Sequence, residues 1–172
     1  MDKNIVFIGF MGCGKTSVGR KISLKLKREF IDTDDFIEKR EGMKISEIFD
    51  KKGEAYFRGL EAELCQRYSQ PKSKIIATGG GIIKNSENLT ALKKGGIVIY
   101  LKSTPKQIAI NLKHDNSRPL LQVANKEAKI AELMEARRPL YEKYADVTID
   151  VTNIDIDDTI DKVLYYTGIS NN

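Results

Sequence analysis

The sequence is poor in the residues that build metal centres and disulfide frameworks. Its 172 residues contain two cysteines, Cys13 and Cys65, and a single histidine, His114. The cysteines lack the short spacing of a zinc-binding pair, and one histidine cannot complete a Cys/His site. We therefore expect reduced thiols and a cytoplasmic protein rather than a secreted, disulfide-stabilised one.

Long apolar runs and blocks of like charge are also missing. The apolar run at residues 5–10 is far shorter than the ~20 residues that cross a bilayer. Lys and Arg (29) exceed Asp and Glu (24) by five, but the two signs are mixed along the chain, tryptophan is absent and aromatics make up 8%. A nucleic-acid-binding surface needs basic residues gathered on one face beside aromatic ones. We expect no membrane and no nucleic-acid partner; the positive excess suits a small anionic ligand.

Strand-like and helix-like segments alternate along the chain. Strands are predicted at 5–8, 30–31, 74–78, 97–101 and 147–151, and the first is apolar throughout, as in a strand buried on both faces. Helical periodicity follows most of the strands, with a helix predicted around 128–134 before the last strand, but residues 82–95 are assigned to no element. Alternating strands and helices predict parallel crossovers. The expected fold is α/β, a three-layer α/β/α sandwich with a five-stranded parallel sheet, in one domain over residues 1–172.

Residues 9–16 match the phosphate-binding pattern G-x-x-x-x-G-K-S/T in full, between a predicted strand and a predicted helix. Glycines let successive backbone N–H groups face a phosphate, and the helix N-terminus adds its partial positive charge. We predict that Lys15 binds the β- and γ-phosphates of a nucleotide and that the Thr16 hydroxyl is a ligand of Mg²⁺. The predicted nucleotide-binding residues of the loop are Gly12, Cys13, Gly14, Lys15, Thr16 and Ser17.

A second metal-binding carboxylate is not found where most P-loop proteins place it. The strands at 74–78 and 97–101 run into glycines and a lysine, so Asp32 and Asp34 are the remaining candidates. In an extended chain both side chains point the same way. One would then hold Mg²⁺ through water, and the other would bind a substrate hydroxyl and accept its proton. The alternative is that this acidic stretch caps the following helix.

Arginines and glycines further along the chain are candidates for binding an anionic substrate. Arg58 lies one helical turn before Glu61, so an ion pair can hold it in place. Three glycines at 79–81 allow a ligand to approach the backbone closely. Arg118 and Arg137 lie close before Pro-Leu pairs. Taken singly, each arginine is as easily a solvated surface residue.

Six segments, in this order and spacing, resemble those of the shikimate kinases: GFMGCGKT, FIDTD, ISEIFDKKGEAYFRGLE, IATGGG, RPLL and RRPLYEKYADVTID. The resemblance covers nearly the whole chain. It implies a P-loop fold like that of nucleoside monophosphate kinases. It also implies a Mg²⁺-dependent transfer of the ATP γ-phosphate to the 3-hydroxyl of shikimate, a step towards chorismate and the aromatic amino acids. Shikimate is then the small-molecule partner, and a monomer is expected.

The resemblance also implies roles for individual residues. Asp34 binds the shikimate hydroxyls and acts as the general base, while Asp32 orders Mg²⁺ through water. Arg58 and Arg137 grip the shikimate carboxylate. The implied catalytic residues are Lys15, Asp34 and Arg118; the substrate-binding residues are Asp34, Arg58, Gly79, Gly80, Gly81 and Arg137; the metal-binding residues are Thr16 and Asp32.

Two regions are expected to serve the two ligands. Helices at about 33–61 form the substrate-binding region, and a mobile lid at about 112–125 carries Arg118 to ATP and to the transferring phosphate. The chain differs from the family at Asn111, because the family usually has an arginine there that stacks on adenine. The adenine contact could then be made by residues 152–155.

Two other functions stay open from the residues alone. One is a different small-metabolite kinase of the same build, acting on gluconate or a nucleoside monophosphate. The other is an ATP-binding or nucleic-acid-binding module without catalysis, suggested by the net charge of +5.

Overall fold

A parallel sheet of five strands with helices on both faces forms the centre of the molecule. The computed structural model describes residues 2–115, 121 and 123–169. The strands are β1 (Asn4–Ile8), β2 (Phe30–Asp32), β3 (Ile75–Ala77), β4 (Gly96–Lys102) and β5 (Val147–Asp150). The helices are α1 (Lys15–Leu26), α2 (Thr33–Glu41), α3 (Ile45–Lys52), α4 (Glu54–Arg67), α5 (Ser86–Gly95), α6 (Pro105–Asn111), α7 (Lys126–Tyr144) and α8 (Ile156–Thr167), with a 3-10 turn at Ile82–Lys84 before α5.

The strand order explains where a ligand can bind. The strands lie in the order β2-β3-β1-β4-β5, and every neighbouring pair is parallel. The chain leaves the central strand β1 towards β2 and β3 on one side and returns to β4 and β5 on the other. A crevice opens at such a reversal, outside the carboxyl ends of the strands. The predicted three-layer sandwich with a five-stranded parallel sheet is thus confirmed.

The core consists of two layers, one on each face of the sheet. Ile5 and Phe7 of β1 pack among residues of α1, α6 and α8, whereas Val6 and Ile8 pack among residues of α4 and α5. All four side chains are fully buried. The continuous apolar run in β1 therefore reflects burial on both faces of the sheet.

The helices α2, α3 and α4 have a small core of their own. Ile37, Ile48, Phe57 and Leu60, one or two from each helix, form a separate buried cluster. This packing gives the region at 33–61 an internal support, so it can present side chains to the crevice in fixed positions.

Three local expectations differ from the structure. Residues 82–95, assigned to no element, form a 3-10 turn and the helix α5. The helix expected near 128–134 runs from Lys126 to Tyr144 and passes through Pro139. Asp34 does not lie in an extended chain, because α2 begins at Thr33.

Within the described residues, no helix combines the length and the apolar character needed to cross a membrane.

Candidate active site

A cleft of about 1160 Å³ lies at the carboxyl ends of the strands, between the phosphate loop and the region at 33–61. It brings together most of the residues that the sequence singled out. The predicted site residues that line it are Gly12, Gly14, Lys15, Thr16, Ser17, Asp32, Asp34, Arg58, Gly79, Gly80 and Gly81. Segments far apart in the sequence therefore meet in one place, as a two-substrate site requires.

The phosphate loop has the backbone geometry that the motif predicts. Gly9, Gly12 and Gly14 have φ angles of 149°, 79° and 97°, which side chains of other residues rarely tolerate. The first turn of α1 contains no acidic residue, and its N-cap, Gly14, makes no side-chain cap. The N–H groups and the positive end of the helix dipole therefore remain available to an anion.

Lys15 is folded back over the loop. Its Nζ donates hydrogen bonds to the carbonyl oxygens of Gly9 at 2.6 Å and Phe10 at 3.0 Å, and the residue is only 8% exposed. A buried ammonium held by two carbonyls is a fixed positive charge next to the N-terminus of α1. Such a charge is well placed to neutralise phosphate oxygens.

Thr16 and Asp32 are in direct contact. The Thr16 hydroxyl donates to Asp32 Oδ2 at 2.7 Å, while Asp32 Oδ1 accepts from the backbone N–H groups of Asp34 and Asp35 at 3.1 and 3.2 Å. Asp32 therefore caps α2, as the alternative interpretation held, and it also faces the phosphate loop. The expectation that Asp32 and Asp34 share one face of an extended chain is wrong, since the helix begins between them.

A hydroxyl beside a carboxylate suits Mg²⁺, which binds few protein ligands and fills its octahedron with waters and phosphate oxygens. Across the described ranges, no group of three His, Cys, Asp or Glu side chains could hold a metal by itself. The Thr16 hydroxyl and the Asp32 carboxylate fit an ion with few protein ligands.

Asp34 lies against the glycine segment 79–81. A Cβ atom on Gly79 would lie 2.5 Å from Asp34 Oδ1, so a side chain at position 79 would displace the Asp34 carboxylate from this position. Thr33, the residue between the two acids, is buried and accepts a hydrogen bond at its Oγ1 from the Gly79 N–H at 2.9 Å. The start of α2 and the glycine segment are thus joined beside the candidate base.

Arg58 is held on both sides by acidic residues of its own helix. Its Nη1 lies 2.7 Å from Glu61 Oε2, which confirms the expected pair one turn apart, and its Nη2 lies 3.2 Å from Glu54 Oε1. Glu61 is 1% exposed, and burial raises the pKa of its carboxyl against the opposing effect of the Arg58 guanidinium. The Arg58 guanidinium also lies against the backbone of Gly81. Its position beside the glycine segment is therefore fixed before a ligand binds.

Arg137, rather than Arg138, points to the site. Arg137 Nη1 donates to the Gly80 carbonyl at 3.3 Å, and its guanidinium lies 5.6 Å from the centre of the Phe10 ring. Arg138 instead pairs with the exposed Glu135 at 2.6 Å. Arg137 does not line the cleft itself but contacts the backbone that does.

Among the described residues, Cys13, like Arg137, does not line the cleft. Cys13 is buried beneath the loop, with its Sγ 3.8 Å from Lys15 Nζ. Arg118 lies outside the described residues, as do the other residues of 116–120 and residue 122 of the expected lid at 112–125. Asn111 lines the cleft and donates from Nδ2 to the Gly12 carbonyl at 2.8 Å, so its amide contacts the phosphate loop.

Two functional neighbours escaped the sequence reasoning. Thr33 holds Gly79, and Tyr141 donates from its hydroxyl to the Gly80 carbonyl at 3.3 Å. Both lie inside the segments FIDTD and RRPLYEKYADVTID, in which the predicted roles belong to charged residues. An uncharged residue that carries a hydroxyl inside a charged motif is the sequence signal that could have found them.

Known proteins resemble this chain in sequence and in fold. The family model described as shikimate kinase matches residues 11–166. A shikimate kinase of Caldanaerobacter subterraneus subsp. tengcongensis is 46% identical over 94% of both chains, and one of Thermodesulfovibrio yellowstonii is 46% identical over 98% of both. The solved structure of Acinetobacter baumannii shikimate kinase in complex with shikimate superposes with a TM-score of 0.89 at 39% identity, over 97% of this chain and 93% of that one. This chain belongs to the shikimate kinase family.

Proposed function

We propose that this chain transfers the γ-phosphoryl group of ATP to the 3-hydroxyl of shikimate, giving shikimate 3-phosphate and ADP. One observation carries the proposal: a phosphate loop, a candidate base and a guanidinium held by two acids line the same cleft. Family membership supplies the identity of the acceptor, and the cleft supplies the groups that its chemistry needs.

The nucleotide side of the cleft binds and neutralises phosphate. The N–H groups of the loop and the start of α1 bind phosphate oxygens, and Lys15 adds a positive charge. Thr16 would hold Mg²⁺ directly and Asp32 would hold it through water. At this position Mg²⁺ would supply positive charge that offsets the negative charge developing during transfer.

The acceptor side orients shikimate and removes one proton. The acceptor oxygen forms a bond to the γ-phosphorus while the bond from that phosphorus to the bridging oxygen of ADP breaks, and the hydroxyl proton passes to the Asp34 carboxylate. Arg58 and Arg137 bind the planar shikimate carboxylate, for which a guanidinium fork is suited. The glycines at 79–81 let the substrate approach the backbone.

Other parts of the proposal follow from the resemblance and the composition. Residues 33–61 serve as the substrate-binding region, and residues 112–125 serve as a lid on which Arg118 reaches the transferring phosphate. The cytoplasm is the proposed location, since Cys13 and Cys65 are both free thiols in a buried setting. A monomer suffices for this reaction, because every proposed group comes from one chain.

The direct test offers shikimate, gluconate and AMP in turn with ATP and Mg²⁺ and follows ADP release. We expect release with shikimate alone, above the slow hydrolysis seen without any acceptor. Release with gluconate or AMP but not with shikimate would overturn the proposal. A salt-dependent complex with DNA, without turnover of any acceptor, would favour the binding-module alternative.

The Arg58→Ala variant tests the acceptor side. We expect the KM for shikimate to rise about 100-fold and the KM for ATP to change little, because a charge-assisted bidentate contact is worth about 1.5–3 kcal/mol. Steady-state kinetics with each substrate varied in turn give both constants.

Arg40→Ala is the matched control for that variant. Arg40 forms an exposed ion pair with Glu63 at 2.8 Å and lies outside the cleft, so the variant loses the same charge without touching the site. Equal increases of both KM values in Arg58→Ala, or the same increase in Arg40→Ala, would contradict the carboxylate contact.

A further inference from the structure

Tyr141 supports the glycine segment 79–81 from behind the cleft. Its hydroxyl donates to the Gly80 carbonyl at 3.3 Å, and Arg137, one turn earlier on α7, donates from Nη1 to the same oxygen at the same distance. Two side chains of one helix therefore converge on a single backbone carbonyl of the site.

Hydrogen bonds, rather than side-chain packing, orient this part of the backbone. Gly80 has no side chain, and a Cβ placed there would come no closer than 3.8 Å to its neighbours. Because the peptide bond is trans, a Gly80 carbonyl held towards α7 places the Gly81 N–H on the opposite side of the chain. The donors on α7 thus determine which way this peptide faces.

Tyr141 is the more permanent of the two donors. It is 1% exposed and its ring stacks on Tyr100, with centres 5.0 Å apart. Burial raises the pKa of its hydroxyl above the ordinary tyrosine value, so the proton stays in place at neutral pH. Arg137 must also bind the substrate carboxylate. Any rotation of its side chain towards that carboxylate weakens its hydrogen bond to the Gly80 carbonyl.

We propose that Tyr141 is a positioning residue for shikimate binding: its hydroxyl holds the Gly80 carbonyl, so the glycine segment keeps its orientation while Arg137 binds the substrate. The inference rests on the proposed function. It assigns Tyr141 no contact with substrate and no part in proton transfer.

Tyr141→Phe removes the hydroxyl and keeps the ring. We expect the KM for shikimate to rise about fivefold, the effect of one ordinary hydrogen bond, while kcat and the KM for ATP stay within about twofold. Equilibrium titration with shikimate should show the same loss of affinity in the absence of ATP. A merely structural role would lower Tm and affect both substrates alike, and that result would overturn the inference.

Tyr100→Phe is the matched control, because it removes a hydroxyl from the other ring of the stacked pair without touching Gly80. Unchanged shikimate affinity in this variant is expected; a rise equal to that of Tyr141→Phe would overturn the inference.

The double variant Arg137→Ala/Tyr141→Phe tests whether the two donors share a target. Since both act on one carbonyl, the combined rise in KM should differ from the product of the single rises. If the combined rise in KM equalled the product of the two single rises, the two side chains would not be acting through the same carbonyl. Absence of ADP release by the unmodified chain with shikimate would refute the proposed function, whereas normal turnover with an unchanged KM in Tyr141→Phe would refute only this inference.

Discussion

Turnover of the Lys15→Ala variant is expected to fall about a thousandfold, which corresponds to roughly 4 kcal/mol of lost transition-state stabilisation. Lys15 is a fixed charge, 8% exposed and held by the carbonyls of Gly9 and Phe10. Because it is already in place before the nucleotide binds, little reorganisation is needed as negative charge moves onto the bridging oxygen of ADP. ADP release at saturating shikimate, with ATP varied, measures both the fall in kcat and the rise in the KM for ATP.

The control for this variant is Lys21→Ala on the same helix. Lys21 pairs with Asp157 at 3.2 Å on the exposed side of α1, where such a pair is worth about 1 kcal/mol or less. We expect wild-type kinetics from it. A Lys15→Ala variant that keeps its fold and loses less than about tenfold in kcat would contradict the assignment of Lys15 to the phosphates.

The features that could be predicted from the sequence are those in which a short segment dictates its own geometry. The loop at residues 9–16 needs glycines where φ is positive, and Gly9, Gly12 and Gly14 meet that need. The apolar run of β1 could belong only to a buried segment. The pair formed by Arg58 and Glu61 follows from helical spacing alone.

The helix α5 escaped prediction because its apolar stripe is thin. Leu89 and Leu92 are its large buried residues, in a segment otherwise rich in Lys, Ser, Asn and Glu. The boundary signals were present: Asn85 accepts from the Glu87 N–H as an N-cap, and two lysines close the last turn. The capping signals at the two ends of the segment would have identified this helix, although its hydrophobic periodicity did not.

The relative position of Asp32 and Asp34 depends on where α2 begins, and the strand-like pattern of this segment does not indicate that point. Asp32 ends β2 and caps α2 at once, so Asp34 is carried onto the first helical turn and towards Gly79. The capping and the functional interpretations of Asp32 are therefore compatible: the oxygen that caps the helix is Oδ1, and the oxygen that meets Thr16 is Oδ2. Long-range contacts of this kind, like that of Tyr141 with Gly80, depend on tertiary packing that no local pattern contains.

Asp34→Asn is expected to lower kcat about 100- to 1000-fold while leaving the KM for ATP unchanged. An amide matches the carboxylate in size, so the variant still fits against Gly79, but its side chain cannot accept a proton from the substrate hydroxyl. Positioned general bases typically contribute about 10²- to 10⁴-fold. Single-turnover measurement with ATP and saturating shikimate separates the chemical step from binding and product release.

Asp35→Asn is the control that separates proton transfer from local charge. Asp35 is the next residue on α2, an exposed carboxylate 3.6 Å from Arg20, and its loss changes the charge of the region by the same amount. We expect its kcat to remain close to the wild-type value. Equal losses of kcat in the two variants would assign the effect of Asp34 to the electrostatic field of the region. An unchanged kcat in Asp34→Asn would contradict the assignment of Asp34 as the base. A large loss confined to Asp34→Asn requires a group at this one position, beside the glycine segment, that takes the proton as the phosphoryl group moves.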